Sequence, residues 1–225
     1  MATNTGTAKT RILVLHGFYD SAQNRQYQMR NLTRSMKEIE FVFIDAPFQF
    51  VNYEFLKSPS DATNEPRYQW FSYRPEWDVT SYHYDTNKES IEYVINYINS
   101  NGPFDGLLGF SQGAIVCVTM MLNIPQWPKL PSCVKFIILV GCPPINDAAV
   151  KPNLEALNQQ PNQLPTLHVS GLNDTLITRE MSEAVCKYFN PSLAEFYTHK
   201  GGHYCPSDAD FRQKLRDFII RASHP

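Results

Sequence analysis

The chain lacks the features that would assign it to several large functional classes. Its formal net charge is −2, so it has no excess of basic residues for binding nucleic acid or an anionic membrane surface. Its longest apolar runs, such as Phe136-Ile137-Ile138-Leu139-Val140, are far too short to span a bilayer. It has no Gly-rich phosphate loop and no cluster with metal-ligand spacing. We therefore expect no nucleic-acid partner, no integral membrane segment, no cofactor and no metal.

The chain also lacks an apolar segment near its start and a regular arrangement of cysteines. Residues 1–10 are polar, which argues against a secretory signal. The five cysteines form no C-x-x-C pair, and an odd number in a chain of 225 residues favours reduced thiols. No internal repeat or low-complexity segment is present. These observations predict a cytoplasmic location.

Short apolar runs alternate with segments of helical spacing along most of the chain. Continuous apolar runs bounded by turn residues are typical of strands buried on both faces of a parallel sheet. This alternation predicts an α/β fold with a mainly parallel six-stranded sheet flanked by helices, in one domain spanning residues 1–225. The predicted strands lie at 11–15, 41–44, around Leu107 in the run 104–108, 136–140, 166–170 and 195–198. Helices are predicted between residues 24 and 37, after a capping residue at Thr86, after Ser111, and from a cap at Thr178 to Phe189.

The pattern breaks between residues 47 and 85, where neither a period of 2 nor one of 3.6 persists. Much of the chain's aromatic content lies here, including Tyr68, Trp70 and Phe71. A long irregular loop in a compact domain is usually a lid or a binding loop. We expect an apolar wall of the substrate pocket, because aromatic side chains bury much area at low entropic cost. A satellite core with poor patterning is the alternative interpretation.

The segment Gly109-Phe110-Ser111-Gln112-Gly113 has the pattern G-x-S-x-G, between a short apolar run and a longer one that predicts a buried helix. A strand, a sharp turn and a helix would present the serine hydroxyl at the tip of the turn. The glycines leave room for the close packing that such a turn requires. A strand-to-helix turn with an incidental serine would show the same five residues.

The ends of the predicted strands make the catalytic interpretation more specific. Chemistry in parallel sheets gathers at the carboxyl ends of the strands. Ser111, Asp174 and His203 each follow a strand, in the order found in α/β-hydrolases. We predict that Ser111 is the nucleophile, that His203 is its base and that Asp174 orients the histidine.

The attacked carbonyl develops negative charge, which needs preset hydrogen-bond donors. The backbone N–H of Gln112, the residue after the nucleophile, is one predicted donor. The second is the N–H of Phe18 in the loop after the first strand, where Gly17 lets the chain turn closely.

Other titratable residues near strand ends leave two alternatives open. His199, which we expect to be exposed, is a second candidate for the base, and Asp147 is a second candidate for the acid. The remaining candidates are interpreted as packed structural residues: His16, His168 and Cys205.

Several sequence blocks are shared with one known family: Val14-Leu15-His16-Gly17-Phe18, Asp45-Ala46-Pro47, Arg67 with Trp70-Phe71, Gly102-Pro103-Phe104-Asp105-Gly106, Gly109 to Ala114, and Gly201-Gly202-His203 with Pro206. In these blocks the chain resembles the FSH family of small serine hydrolases, over nearly its whole length. The resemblance implies an α/β-hydrolase core and the three catalytic positions named above. The turn Gly141-Cys142-Pro143 departs from the family's usual Ser-Gly-aromatic sequence, and this departure is expected to reshape the acyl pocket around Cys142.

The expected function is hydrolysis of a small-molecule carboxylic ester with an apolar acyl chain, through an acyl-enzyme. Members of the family include carboxylesterases and thioesterases that release acyl or polyketide chains from carriers. A thioesterase is therefore the alternative, and a binding protein that kept the fold without turnover is a remote one.

Overall fold

The computed structural model describes residues 9–50, 66–73, 84–85, 87–122, 124–125, 127–147, 150–159 and 164–223. Within these ranges the strands are β1 (Thr10–Leu15), β2 (Ile39–Ile44), β3 (Phe48–Gln49), β4 (Tyr68–Gln69), β5 (Ser72–Tyr73), β6 (Tyr84–Asp85), β7 (Gly106–Phe110), β8 (Phe136–Val140), β9 (Thr166–Gly171) and β10 (Ala194–His199). The helices are α1 (Ala22–Gln28), α2 (Arg30–Ser35), α3 (Asn87–Asn101), α4 (Gln112–Met121), α5 (Lys151–Glu155), α6 (Arg179–Cys186) and α7 (Ala209–Ser223).

The six long strands form one parallel sheet in the order β10-β9-β8-β7-β1-β2. This arrangement confirms the predicted α/β class and all six predicted strands. The four short strands form two antiparallel pairs, β3 with β4 and β5 with β6.

The sheet order contains a topological switch between β1 and β7. The chain runs from β1 outward to β2, and later from β7 outward in the other direction to β8, β9 and β10. In open α/β sheets the crevice outside the strand ends at such a switch is the usual binding site. The residues that directly follow β1 and β7 therefore lie where a ligand is expected.

Alternate residues of each central strand pack on opposite faces of the sheet. In β1, Leu13 and Leu15 join the cluster that contains α3 and α4, while Ile12 and Val14 join the one that contains α2 and α7. Since both faces are covered, every residue of β7 and β8 is buried. This two-sided burial explains why these strands have continuous apolar sequences.

Two glycines let α4 lie directly against the sheet. A Cβ at Gly113 would lie 2.4 Å from the carbonyl oxygen of Leu15, and one at Gly109 would lie 2.5 Å from the Cα of Ala114. Only a residue without a side chain fits at these contacts. The start of α4 is consequently held close to the end of β1.

Several helix boundaries differ from the sequence prediction. The helix expected between residues 24 and 37 is divided into α1 and α2 at Met29, whose φ of −87° and ψ of 4° interrupt the helix. Helix α6 ends at Cys186 rather than Phe189, although Thr178 caps its start as predicted. The capping residue expected before α3, Thr86, lies outside the described residues.

Candidate active site

Ser111 occupies a strained turn between β7 and α4. Its φ of 52° and ψ of −116° place a non-glycine residue in the positive-φ region, which typically costs about 1–3 kcal/mol. Ser111 precedes the first residue of α4, yet its side chain makes no capping hydrogen bond to the helix. The hydroxyl is therefore not used for the role that a serine at this position normally has.

Backbone contacts on both sides stabilise the strained turn. The N–H of Ser111 donates to the carbonyl of Val140 at the end of β8, over 2.9 Å. From the other side, a Cβ at Gly17 would lie 3.4 Å from the Cβ of Ser111. The ends of β1, β7 and β8 thus meet at the serine.

His203 and Asp174 form a direct side-chain pair. His203 Nδ1–H donates to Asp174 Oδ2 over 2.7 Å. The other carboxylate oxygen of Asp174 accepts from the backbone N–H groups of Leu176 and Ile177, at 3.0 and 2.9 Å. Because Asp174 is held on both oxygens and is buried, it fixes the orientation of the imidazole.

Two residues bring this pair to the same edge as the serine. The ring of Phe110, directly before Ser111, packs on the His203 ring with centroids 4.7 Å apart. Gly141 follows Val140 with φ of 56°, and a Cβ there would lie 2.8 Å from His203 Cε1. The turn after β8 therefore bounds the imidazole, and this role of Gly141 was not visible in the sequence, which marked the turn only as a departure from the family.

The loop after β1, which contains the predicted oxyanion donor Phe18, is held by the fully buried His16. His16 Nδ1–H donates to the carbonyl of Gly17 over 2.7 Å, and its Nε2 accepts from the N–H of Ala46 over 3.0 Å. This pattern requires the neutral ring, and burial lowers the pKa of His16 accordingly. His16 is thus the packed structural histidine that the sequence predicted.

A buried ion pair that the sequence analysis missed joins the end of this loop to α1. Arg25 Nη2 and Asp20 Oδ2 are 2.5 Å apart, with side chains only 4% and 5% exposed. Burial acts to raise the pKa of Asp20, but Arg25 and hydrogen bonds from Asn24 and Ser21 outweigh it and lower the pKa. The Arg25 guanidinium also lies 3.7 Å from the ring centroid of Phe110. No sequence motif marks this pair, because its burial depends on Phe110, which is remote in the chain.

The other predicted oxyanion donor, Gln112, begins α4. Its side chain is completely buried and bonds twice to the segment after β4. Oε1 accepts from the N–H of Trp70 over 2.8 Å, and Nε2 donates to the carbonyl of Phe71 over 2.7 Å. The side chain of Gln112 is therefore fixed while its backbone N–H stays at the start of the helix.

The structure corrects the predicted wall of the substrate pocket. Trp70 and Phe71 are 0% exposed and belong to the core cluster with α3 and α4, so they offer no surface to a ligand. Cys142 is also in this core, and burial raises the pKa of its thiol well above the ordinary value. Tyr68 is half-buried at the edge of the cluster. Most of the predicted lid between residues 47 and 85 lies outside the described residues.

The alternative base and acid both have other contacts. His199 was expected to be exposed, but it is only 7% exposed; its Nδ1 accepts from the N–H of Gly201, and its ring packs on Tyr204. Asp147 is buried, and its Oδ1 accepts from the N–H of Val150 over 3.1 Å. Among the described residues, His199 and Asp147 do not form a side-chain pair with each other like that of His203 and Asp174.

The other residues interpreted as structural are packed as predicted. His168 is 1% exposed, and burial lowers its pKa to about 3. Cys205 is also buried, which raises the pKa of its thiol to about 12. A thiol with so high a pKa is a poor nucleophile, which is consistent with a packing role.

A separate groove of about 690 Å³ lies between α6 and β10, lined in part by Arg179, Glu183, Phe189 and Phe196. None of the predicted site residues lines it. Within the described part of the chain, no three His, Cys, Asp or Glu side chains are grouped so as to hold a metal ion. In the same residues no helix has the length and apolar character needed to cross a bilayer.

Comparison with known proteins gives matches over nearly the whole chain. The family described as serine hydrolase (FSH1) matches residues 5–215. The esterase OVCA2 of Bos taurus and that of Homo sapiens are each 32% identical to this chain, over 93% of the chain and 95% of the relative. The crystal structure of Zea mays acyl-protein thioesterase 2 has a TM-score of 0.70 at 20% identity and covers 96% of both chains. At that identity the structural match indicates a shared fold alone.

Proposed function

This chain belongs to the serine hydrolase (FSH1) family and has the α/β-hydrolase fold, and on that premise we propose that it is a carboxylesterase acting on esters of apolar acyl chains. Ser111 is the nucleophile, His203 the general base and Asp174 the residue that orients the histidine. The backbone N–H groups of Phe18 and Gln112 form the oxyanion hole.

One observation carries this proposal. A serine with φ of 52° and no capping bond lies at the elbow between β7 and α4. The ring of Phe110, the residue before it, packs on a histidine that is paired with a buried carboxylate. A strained backbone persists only where the surrounding structure stabilises it, and such strain clusters at functional sites. The hydrolase family supplies the chemistry that this arrangement can perform.

In acylation the acyl group leaves the alcohol oxygen for the Ser111 oxygen, and one proton moves from Ser111 to the alcohol. The Ser111 oxygen attacks the ester carbonyl carbon as His203 Nε2 takes the hydroxyl proton. The tetrahedral intermediate then collapses, its bond to the alcohol oxygen breaks, and His203 gives the proton to the departing alcohol. The product is an acyl-Ser111 ester, with the histidine again neutral.

Deacylation repeats these steps with water. The water oxygen attacks the acyl carbonyl carbon as His203 takes a proton from the water. The bond to the Ser111 oxygen then breaks, and His203 gives the proton to that oxygen as the carboxylic acid leaves. In both halves the carbonyl oxygen becomes negative, so the same two N–H donors act twice. Losing one such donor typically slows the reaction by about 100- to 1,000-fold.

Exposed apolar side chains support an apolar substrate. The loop that carries Asp174 also carries Leu172 and Leu176, which are 51% and 69% exposed, and Tyr204 directly follows His203 at 49%. Covering apolar side chains of this size with an apolar ligand removes their surface from water, which favours binding. An acyl or alcohol chain lying along these loops would do so.

A thioesterase is the second candidate, since the same residues would cleave a thioester with a thiolate as the leaving group. The Zea mays structure, which has a similar fold, is an acyl-protein thioesterase. The two candidates differ only in what occupies the leaving-group side of the site.

The test compares matched oxygen esters and thioesters over a range of acyl lengths. We expect turnover of oxygen esters that rises with chain length to an optimum, and that disappears in Ser111→Ala and in His203→Ala. His199→Asn and Asp147→Asn are the matched controls for the alternative base and acid, and both should retain most of the activity.

Each contrary result has a distinct meaning. Preference for thioesters would establish the second candidate. Full activity in Ser111→Ala would overturn the mechanism. Loss of activity in His199→Asn with retention in His203→Ala would reassign the base. Failure of a serine-directed alkylphosphonate to label Ser111 would favour a binding protein without turnover.

A further inference from the structure

We propose that the segment Tyr68–Phe71 positions the oxyanion hole by joining the two chain segments that supply its donors. The segment is not itself catalytic: it acts through the loop after β1 and through Gln112. This inference rests on the proposed function, because it concerns how the two predicted donors are held.

The Tyr68–Phe71 segment contacts the loop after β1 at two points. The backbone of Tyr68 pairs with that of Asp20 in both directions, at 2.8 and 3.4 Å. The indole Nε1–H of Trp70 donates to the carbonyl of His16 over 2.8 Å. Phe18 lies between His16 and Asp20 in the chain, so the segment fixes this loop on both sides of the predicted donor.

The same segment contacts the other predicted donor residue, Gln112, through the Gln112 side chain. The N–H of Trp70 and the carbonyl of Phe71 bond to the two ends of the Gln112 amide, at 2.8 and 2.7 Å. A primary amide that pairs with one donor and one acceptor can adopt a single orientation. The first residue of α4 is thereby held against the Tyr68–Phe71 segment.

Trp70 is the common point of these contacts, and all of its polar groups are used. Its N–H bonds Gln112, its indole N–H bonds His16, and its carbonyl accepts from the hydroxyl of Ser90 on α3. The side chain is 0% exposed. A buried polar network with every member paired is rigid, and its bonds are strong in the low local dielectric.

This rigidity matters because the two donors lie on different elements. An oxyanion hole is effective only when both N–H groups already point to one position before charge develops. The Tyr68–Phe71 segment fixes the loop after β1 relative to the start of α4. Releasing one of its bonds should therefore weaken stabilisation of the transition state and leave substrate binding almost unchanged.

Trp70→Phe tests this role directly, since it keeps an aromatic ring and removes the N–H that bonds His16. We expect kcat to fall by about 10-fold with KM within about 2-fold, which is the pattern of an interaction made only in the transition state. The rate of phosphonylation by a p-nitrophenyl alkylphosphonate should fall by a similar factor, because its phosphoryl oxygen uses the same donors. Trp127→Phe is the matched control, as Trp127 is half-buried beyond the opposite end of α4, and it should leave both rates unchanged.

Gln112→Met removes the other connection while keeping the backbone N–H. If the segment acts as one unit, the double variant with Trp70→Phe should lose much less than the product of the two single losses. Thermal unfolding of each variant, measured beside the kinetics, separates lost folded protein from lost rate. The assays are run well below the lowest melting temperature.

The outcomes separate this inference from the proposed function. Phosphonylation of wild-type Ser111 with an unchanged rate in folded Trp70→Phe overturns only the positioning role. A rise in KM at constant kcat, or strictly multiplicative losses in the double variant, also overturns it. No phosphonylation of the wild type at Ser111 overturns the proposed function and, with it, the oxyanion hole to be positioned.

Discussion

Gly141 closely limits the position of His203, the predicted catalytic histidine. It has φ of 56°, and its Cα faces the edge of the His203 ring, which leaves no room for a methyl group. The residue therefore combines two requirements that glycine meets, a left-handed backbone and a close approach. Its neighbours in sequence, Val140 and Cys142, are fully buried and keep the turn in place.

We predict that Gly141→Ala lowers kcat by about 10- to 100-fold, because the added methyl group displaces the imidazole by a fraction of an ångström to an ångström. The measurement is steady-state hydrolysis of the best ester, with urea unfolding to show that the variant is folded. Gly202→Ala is a matched control beside His203 in the chain, where a Cβ would meet only the carbonyl oxygen of Asn173 at 3.4 Å. Equal activity of the two variants would show that the histidine can move freely.

The sequence named candidate residues where chemistry marked them, and it was a poorer guide to which side chains are buried. Ser111, Asp174 and His203 could be named because each follows a strand in a known order. His199 was expected to be exposed and Trp70 to line the substrate pocket, but both are buried. Each is covered by residues that are distant or locally unremarkable. For His199 this cover includes Tyr204, and for Trp70 it includes Ser90 and Gln112.

At the scale of elements, the buried pair Asp20–Arg25 connects the loop after β1 to α1. Asp20 lies directly before the helix cap Ser21, and Arg25 lies one turn into α1 with its guanidinium over Phe110. A buried charge is stable only while its partner is present. The loop and the helix should therefore lose stability together when either charge is removed.

Asp20→Asn is expected to reduce the free energy of unfolding by about 3–5 kcal/mol, because it leaves Arg25 buried without a counter-charge. The double variant Asp20→Asn with Arg25→Met should recover a large part of this loss. Glu183→Gln is the control: its exposed pair with Arg179 should contribute at most about 1 kcal/mol. Urea unfolding of the wild type, the single variants Asp20→Asn and Arg25→Met, their double variant and Glu183→Gln gives the comparison. Additive losses in the double variant would contradict a coupled pair.

Element boundaries followed the sequence pattern less closely than element identities did. The signal was clearest for β7, β8 and β9, because burial on both faces leaves a continuous apolar run. The break between α1 and α2 at Met29 had no such signal, since neither glycine nor proline marks it. The pairing of β3 with β4 was also not predicted, because these strands are only two residues long.

At the scale of the whole molecule, buried neutral histidines make the stability depend on pH. Burial lowers the pKa of His168 to about 3 in the folded protein, against about 6.5 in an unfolded chain. Below about pH 6.5 the unfolded chain binds a proton that folded His168 does not. The stability associated with this residue is thus complete above about pH 6.5 and decreases as the pH falls toward 3.

We predict that His168→Phe flattens this decrease by about 1.4 kcal/mol per pH unit between about pH 5.5 and 4, which corresponds to one proton. Phenylalanine keeps the ring between Phe189 and Phe196 and cannot titrate. The measurement is the free energy of unfolding in urea at several pH values. Parallel curves for the variant and the wild type would show that His168 does not contribute. A slope that remains in the variant is expected from His16 and His199, because burial also lowers their pKa values.

The chain's own pattern was enough to predict a parallel α/β sheet and the order of a candidate nucleophile, a candidate acid and a candidate histidine base along it. Both follow from local properties, namely the length of an apolar run and the residue types that end it. Only the tertiary structure decided that Trp70 anchors the loop after β1 instead of facing a substrate, and that Arg25 lies buried over Phe110. These facts depend on which distant segments cover a side chain, and no local pattern of residues carries that information.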